Sequence, residues 1–259
     1  VREVHSWVPA SRWIKELDGV PKKSSPVPQD FNWDLWLGPR STRPFNTAYA
    51  PVTWRDFWEF GCGALGDFGC HDMDTAVWGL DLPAPESIEV HPAGYSDQNI
   101  TPYGEIGYYQ FPANGDRPAV KLTWYSGGLQ PALPEEVPED FSFASRGAMY
   151  IGDDGLIITG GKEPLILPEA FGAGFKDPSA TLPPSNGHHR DWIDAVKGGP
   201  QASSNFEYAA HLTEITLLGV LSLRLGGKKI YWDSQNMQAK GLPAADEFIR
   251  EPVRTGWEM

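Results

Sequence analysis

The chain is 259 residues long and 41% of its residues are hydrophobic, so it can bury a full core, which excludes both a mini-protein and a disordered chain. Its formal net charge of −13, without a local basic stripe, argues against a nucleic acid as partner, because an acidic surface repels phosphates. No stretch reaches about 18 uninterrupted apolar residues, so the sequence predicts a soluble protein with no membrane span and no membrane partner.

Strands and loops fill the first two thirds of the chain. A strand over 1–8 is followed by a Pro-, Ser- and Asn-rich loop over 20–52, which its aromatic side chains are expected to pin. An acidic, Pro-rich segment over 129–146 is predicted as a surface loop. The further predicted strands, of which the last two form a hairpin, are 86–91, 104–111, 118–126, 147–151 and 155–159.

Helices are predicted over 67–80, 188–198 and 206–226. The last of them is amphipathic, with Ser204 or Asn205 as its N-cap and glycines at its end. The strands cluster in the middle of the chain without regular βαβ alternation, so the pattern predicts an α+β fold. We expect one domain over 1–259, an open and mostly antiparallel β-sheet with helices packed on one face.

The other face of such a sheet would have no helix on it. In the strand over 104–111, neither the side of Ile106 and Tyr108 nor the side of Gly107 and Tyr109 is cleanly polar. A large exposed apolar face is unusual in a monomer. We therefore expect homo-oligomerisation through the sheet face.

Two patterns near residue 60 are reminiscent of cofactor sites, but neither has the context that it needs. Cys62 and Cys70 are too few for a thiolate zinc site, so no metal site is predicted. The spacing G-x-G-x-x-G occurs at Gly61, Gly63 and Gly66. A dinucleotide-binding fingerprint follows a buried apolar strand, whereas the segment TWRDFWEF, which carries three charges, precedes these glycines. We expect no nucleotide at this loop.

The helix that follows the glycines carries a candidate acid/base pair. At 3.6 residues per turn, Asp67 and His71 lie one turn apart, and Asp74 and Trp78 continue the same stripe. A carboxylate beside an imidazole can fix its tautomer and raise its basicity, as removal of a proton from an alcohol during hydride transfer requires. The alternative is an ordinary helix cap and a half-buried histidine, since such pairs are common on helices.

Two long segments resemble one known family. They are WDLWLGPRSTRPFNTAYAPVTWRDFWEFGCGALGDFGCHDMDTAVWGL (33–80) and HHRDWIDAVKGGPQASSNFEYAAHLTEITLLGVLSLRLGGKKIYWD (188–233). Both are similar to the Gfo/Idh/MocA oxidoreductases, the glucose–fructose oxidoreductase and inositol dehydrogenase family, in its bacterial type. The resemblance covers only the family's C-terminal half, so the N-terminal Rossmann domain and its catalytic lysine have no counterpart here.

The resemblance implies a substrate half of an NAD(P)-dependent sugar or polyol oxidoreductase. The family's D-x-x-x-H pair falls on Asp67 and His71, where the histidine serves as acid/base on the substrate hydroxyl and the aspartate orients the substrate or the histidine. NAD or NADP is implied for the full-length protein, and no cofactor is expected to bind to this chain alone.

Four further residues are candidates for binding the substrate. Tyr49, Trp54 and Arg55 precede the acid/base helix, and aromatic faces with a forked guanidinium suit polyhydroxylated ligands. Packing within the long loop is the alternative for these three. His188, which with His189 opens a predicted helix, is the fourth candidate, with a capping or surface role as the alternative.

Two other functions remain possible at this point. One is a carbohydrate-binding or assembly module without chemistry of its own, suggested by the many aromatic residues and the missing Rossmann half. The other is a hydrolase or lyase of the same family that uses bound NAD transiently. Product formation without net NADH would separate this second alternative from a dehydrogenase.

Overall fold

The computed structural model describes residues 1–174, 182 and 184–258. Nine strands form one open mixed sheet in the order β7-β6-β5-β1-β4-β3-β2-β8-β9. Within this sheet only β1 and β4 pair in parallel, and all other neighbours in the described residues are antiparallel. The prediction of an α+β fold with a mostly antiparallel sheet is confirmed. The strands are β1 (Glu3–Trp7), β2 (Ser87–Ala93), β3 (Gly104–Phe111), β4 (Val120–Tyr125), β5 (Gly147–Ile151), β6 (Leu156–Ile158), β7 (Leu165–Leu167), β8 (Ile230–Asp233) and β9 (Gln238–Ala239).

Seven α-helices lie among the described residues. None of them combines the length and the apolar character needed to cross a membrane. The cap predicted for the longest helix is present, since the side chain of Asn205 accepts a hydrogen bond from the backbone N–H of Tyr208. The helices are α1 (Trp33–Leu37), α2 (Gly63–Asp72), α3 (Asp74–Gly79), α4 (Glu169–Gly174), α5 (His188–Val196), α6 (Phe206–Arg224) and α7 (Asp246–Ile249).

The prediction of a single helix over 67–80 is wrong, because the chain forms two helices, α2 and α3, which are separated at Met73. The hydroxyl of Ser6, on β1, donates to the carbonyl of Asp72 at 2.9 Å. The backbone N–H of Ala76, which would bond that carbonyl in a continuous helix, donates to the carbonyl of Met73 instead. A contact with a distant strand therefore occupies the carbonyl at the end of α2, and the chain continues as α3 after Met73.

The main core lies between α2, α3 and α6 and one face of the central strands. Leu65 of α2, Met73 between α2 and α3, and Ile215 of α6 are fully buried, as are Leu122 and Trp124 of β4. This confirms helices on one face of the sheet. The predicted packing of the helix at 188–198 into this layer is wrong, because α5 has no buried residue and its apolar stripe is exposed, with Trp192 at 66%.

The opposite face of the sheet is only partly covered. Val137, Phe141 and Phe143, from the predicted surface loop over 129–146, pack against Trp7 and Met149 in a second cluster. The loop is therefore pinned across one end of this face.

The rest of the opposite face is polar as well as aromatic. Lys121 pairs with Glu3 at 3.0 Å, and Nδ1 of His5 lies 2.9 Å from the hydroxyl of Tyr125. Burial lowers the pKa of His5, so the neutral imidazole is favoured there. This face therefore offers specific polar contacts besides apolar area.

Candidate functional site

The segment that leads into α2 contains no strand. A short 3₁₀ helix at Thr53–Asp56 and a turn precede the helix, which begins at Gly63. The context of a dinucleotide-binding fingerprint is therefore missing at this position. Packing accounts for the glycines instead: a Cβ on Gly61 would lie 2.5 Å from Cα of Arg55, and Gly63 has a φ of +64° with a side-chain atom of Thr101 2.9 Å from its Cβ position.

Asp67 lies on the outer part of α2 and pairs with Arg55. Nε of Arg55 donates to Oδ1 of Asp67 at 3.2 Å, and the two side chains are 27% and 29% exposed. This ion pair borders solvent and can still be reached by a ligand. The partner that the structure gives to Asp67 is thus a guanidinium, and not the imidazole one turn further along the helix.

The guanidinium of Arg55 lies between two tryptophan rings. Its central carbon is 4.4 Å from the ring centroid of Trp54 and 5.3 Å from that of Trp13. The backbone N–H of Trp13 donates to the buried carboxylate of Asp56 at 2.9 Å, which fixes the chain at this point. These cation–π contacts hold Arg55 toward Asp67.

Trp13 is a residue that sequence reasoning missed. It is about forty residues away from Trp54 in the sequence, and the sequence offered no signal for it beyond its aromatic type.

His71 is exposed near the C-terminal end of α2. Its ring centroid is 6.5 Å from that of Phe68 in an edge-on arrangement. Beside it, Arg146 makes two hydrogen bonds with the carboxylate of Asp72 and lies over the ring of Phe68. The imidazole of His71 can therefore be reached by a ligand, and the next residue in the chain, Asp72, is held in an ion pair with Arg146.

Asp74 and Trp78, the continuation of the predicted stripe, lie on α3 and contact Tyr208. The hydroxyl of Tyr208, on α6, donates to the carboxylate of Asp74, which ties α3 to α6. Burial, together with this carboxylate, raises the pKa of Tyr208. Asp74 therefore has a packing role in the structure.

Tyr49, a predicted candidate for the substrate wall, is buried in the structure. The residue is only 4% exposed, and its ring packs against Trp33 of the loop over 20–52 and against Phe57 and Phe60, which follow that loop. A ring enclosed in this way has no free face for a ligand. Of the two roles weighed for Tyr49, the structure shows packing.

His188 opens α5 and is exposed. Its ring centroid lies 4.1 Å from that of the adjacent His189, so the two imidazole rings point to the same side of the chain. The structure shows no hydrogen bond or ion pair between His188 and the described residues of α2. His188 thus stays a separate candidate.

A groove of about 990 Å³ runs along α6. Its lining includes Trp58, Cys62 and Phe248, but none of the candidate site residues. Burial raises the pKa of the Cys62 thiol, which makes it a poor nucleophile. No group of three or more His, Cys, Asp or Glu side chains in the described part of the chain could hold a metal ion.

Residues 11–113, which include Arg55, Asp67 and His71, match a family model described as "Oxidoreductase family, C-terminal alpha/beta domain". Among solved structures, an oxidoreductase from Thermotoga maritima is similar to this chain, with 12% sequence identity and a TM-score of 0.44. The alignment covers 89% of this chain and 53% of the other, so this chain spans about half the length of that protein. The comparison with curated proteins gives no match.

Proposed function

We propose that this chain, which over residues 11–113 belongs to the C-terminal domain of the Gfo/Idh/MocA oxidoreductases, is the substrate half of an NAD(P)-dependent sugar or polyol oxidoreductase. The observation that carries the proposal is the Arg55–Asp67 ion pair beside Trp54, because Asp67 lies on the same helix as the exposed His71. An ion pair with an aromatic neighbour suits a ligand with several hydroxyl groups, and the imidazole supplies the proton acceptor.

The glycine loop of this chain does not fit a dinucleotide. Its glycines face the backbone of Arg55 and the side chain of Thr101, so the space that a pyrophosphate needs is filled by the protein. The nucleotide, which supplies the hydride acceptor of such reactions, is therefore assigned to a separate Rossmann domain of the full-length protein.

The residues of this chain bind the substrate and move its proton. Arg55 donates hydrogen bonds to hydroxyl oxygens, and the carboxylate of Asp67 accepts hydrogen bonds from hydroxyl groups. As the carbon loses its hydride, the hydroxyl group that becomes a carbonyl must lose a proton, and a ring nitrogen of His71 accepts it. Trp54 offers an apolar surface for the C–H face of the ring.

The experiment that tests this function is an assay of the full-length protein with NAD⁺ or NADP⁺ and a panel of pyranoses and cyclitols. We expect reduced nucleotide to accumulate with at least one member of the panel. Conversion of a glycoside without net reduced nucleotide would instead favour the hydrolase or lyase alternative. Absence of nucleotide binding in calorimetry would contradict the proposal.

Replacing Asp67 with asparagine in the full-length protein is expected to raise KM by about tenfold and to lower kcat as well, because a charged hydrogen-bond acceptor is lost. Steady-state kinetics with the substrate found above measures both constants. Asp81→Asn is the matched control, since Asp81 is an exposed aspartate with a φ of +46°, a conformation that asparagine also tolerates. Equal kinetics for the two variants would remove Asp67 from the site.

We also propose that copies of the chain associate through the open sheet face. Tyr231 on β8 is 55% exposed on this face. The Tyr231→Asp variant is expected to have a lower molar mass by light scattering, because association would bury the charge of the new aspartate in the interface. Leu35→Asp is the control, since Leu35 is equally apolar and exposed but lies on α1. A wild-type protein that is monomeric at high concentration would contradict this assembly.

A further inference from the structure

An arginine from outside the helix holds the last turn of α2. Nε and Nη2 of Arg146 each donate to one carboxylate oxygen of Asp72, the last residue of that helix, and the second of these hydrogen bonds is 2.9 Å long. The side chain of Asp72 is only 7% exposed, whereas that of Arg146 is 50% exposed. A carboxylate so far out of water depends on its partner, because without it the charge would stay uncompensated.

Arg146 also lies over an aromatic ring that contacts His71. Its Cζ atom is 5.8 Å from the ring centroid of Phe68, and that centroid is 6.5 Å from the centroid of the imidazole. Phe68 and Asp72 are one turn apart on α2, and His71 lies between them in the sequence. The guanidinium therefore contacts α2 on both sides of His71, at the end of the helix where its dipole favours a positive charge.

The backbone near Arg146 is fixed to the sheet. The strand β5 begins directly after Arg146 and pairs with β1. Nε1 of the buried Trp7, on β1, donates to the carbonyl of Ala144 at 2.8 Å. Its neighbour Ser6 donates to the carbonyl of Asp72 at 2.9 Å, where a helix end leaves carbonyls without a partner in the helix. Both the side chain and the backbone of Asp72 are thus held by one part of the sheet.

We propose that Arg146 is a positioning residue, which acts through Asp72 and Phe68 to hold the imidazole of His71 at the substrate. This inference rests on the proposed function, because it assumes that His71 accepts the proton of the substrate. Proton transfer needs the two heavy atoms within about 2.6 to 3.2 Å, and a helix end that frays reaches this distance in only a fraction of the molecules. The loss is therefore expected in kcat and not in KM, since the ion pair proposed to bind the substrate lies one turn earlier, at Asp67.

The test compares Arg146→Met with Arg2→Met in the full-length protein. Arg2 is the matched control, because it makes the same pair of hydrogen bonds with Asp153, just before β1 and with both side chains well exposed. In Arg146→Met we expect amide hydrogen exchange over 68–73 to become about tenfold faster. With the substrate found in the assay, we expect kcat to fall about tenfold while KM changes less than about twofold. Arg2→Met should match the wild type in both measurements, as exposed ion pairs contribute little.

Two further variants separate positioning from a direct contact between Arg146 and the substrate. Arg146→Lys keeps the charge without the fork of parallel N–H groups, so it should recover part of the lost kcat. Adding Asp72→Asn to Arg146→Met should lower kcat no further, because the two residues act as one unit. This double variant also leaves no unpaired charge, so it provides the same two readouts if Arg146→Met does not fold.

Three results would overturn the inference: unchanged exchange over 68–73 in Arg146→Met and the double variant, kinetics equal to those of Arg2→Met in an active enzyme, or a rise in KM in place of the fall in kcat. The last of these would show that Arg146 binds the substrate itself. Faster exchange over 68–73 in a protein that reduces no nucleotide would leave the contact of Arg146 with α2 in place and overturn the proposed function instead.

Discussion

Replacement of His71 with alanine in the full-length protein is expected to lower kcat by about 10² to 10⁴, the usual contribution of a positioned acid/base group. The reason is that His71 is the histidine of α2 and is exposed, and an imidazole is the side chain that can both accept and release a proton near neutrality. Nucleotide affinity should stay nearly unchanged, because the nucleotide is assigned to another domain. Steady-state kinetics and calorimetry measure these two quantities separately.

Thr75→Ala is the matched control for this variant. Thr75 lies on α3, one turn after His71, and is exposed, so its replacement changes the same surface without removing an acid/base group. A His71→Ala protein with normal turnover, or a Thr75→Ala protein that loses as much, would return Asp67 and His71 to an ordinary surface role.

Replacement of Gly61 with alanine is expected to destabilise the fold by about 1 to 3 kcal/mol, as overpacking commonly does. The added Cβ would lie 2.5 Å from Cα and 2.8 Å from the carbonyl oxygen of Arg55, and backbone atoms cannot swing away as a side chain can. The segment that carries Arg55 must therefore shift, so we expect KM to rise together with the loss of stability. Urea denaturation measures the free energy of unfolding.

Gly79→Ala is the matched control, and no loss of stability is expected for it. Gly79 lies in α3 with nothing within 4 Å of its Cβ position, so alanine there is expected to leave the stability unchanged or to raise it by about 0.4 to 1 kcal/mol. If both glycine variants had the same stability, the close approach of Gly61 to Arg55 would not exist in solution.

The features that the sequence revealed are those that local patterns control. The helix over 206–224 was predictable because its apolar period is long and Asn205 caps it. The strands β3 and β5 agree with the predicted ranges, and the glycine turn between β5 and β6 closes with a hydrogen bond from Gly152 to Gly155. Each of these signals lies within a few residues of the element that it predicts.

Long-range contacts caused most of the departures. The break at Met73 depends on Ser6, which is 66 residues away from its partner Asp72, so no local pattern could reveal it. Glu105 is charged, as exposed residues of a strand commonly are, yet tertiary packing leaves it only 1% exposed. The Trp13 contact to Arg55 likewise arises only when the chain folds back on itself.

The candidate site was predictable in part. The helical spacing and the resemblance suggested Asp67 and His71, and both lie on α2. The partner of Asp67 was not predictable, because Arg55 precedes it by twelve residues across an irregular turn with no periodic relation to the helix.

The location of the substrate site can be measured directly by hydrogen exchange of the full-length protein with and without NAD(P)⁺ and the substrate found in the assay. If α2 forms the site, protection on substrate binding must appear over residues 54–72, which include Trp54, Arg55, Asp67 and His71. Nucleotide alone should not reproduce that protection at Arg55 and Asp67. Protection confined to the part of the groove that α6 and α7 form, with none at Trp54, Arg55, Asp67 or His71, would contradict the account.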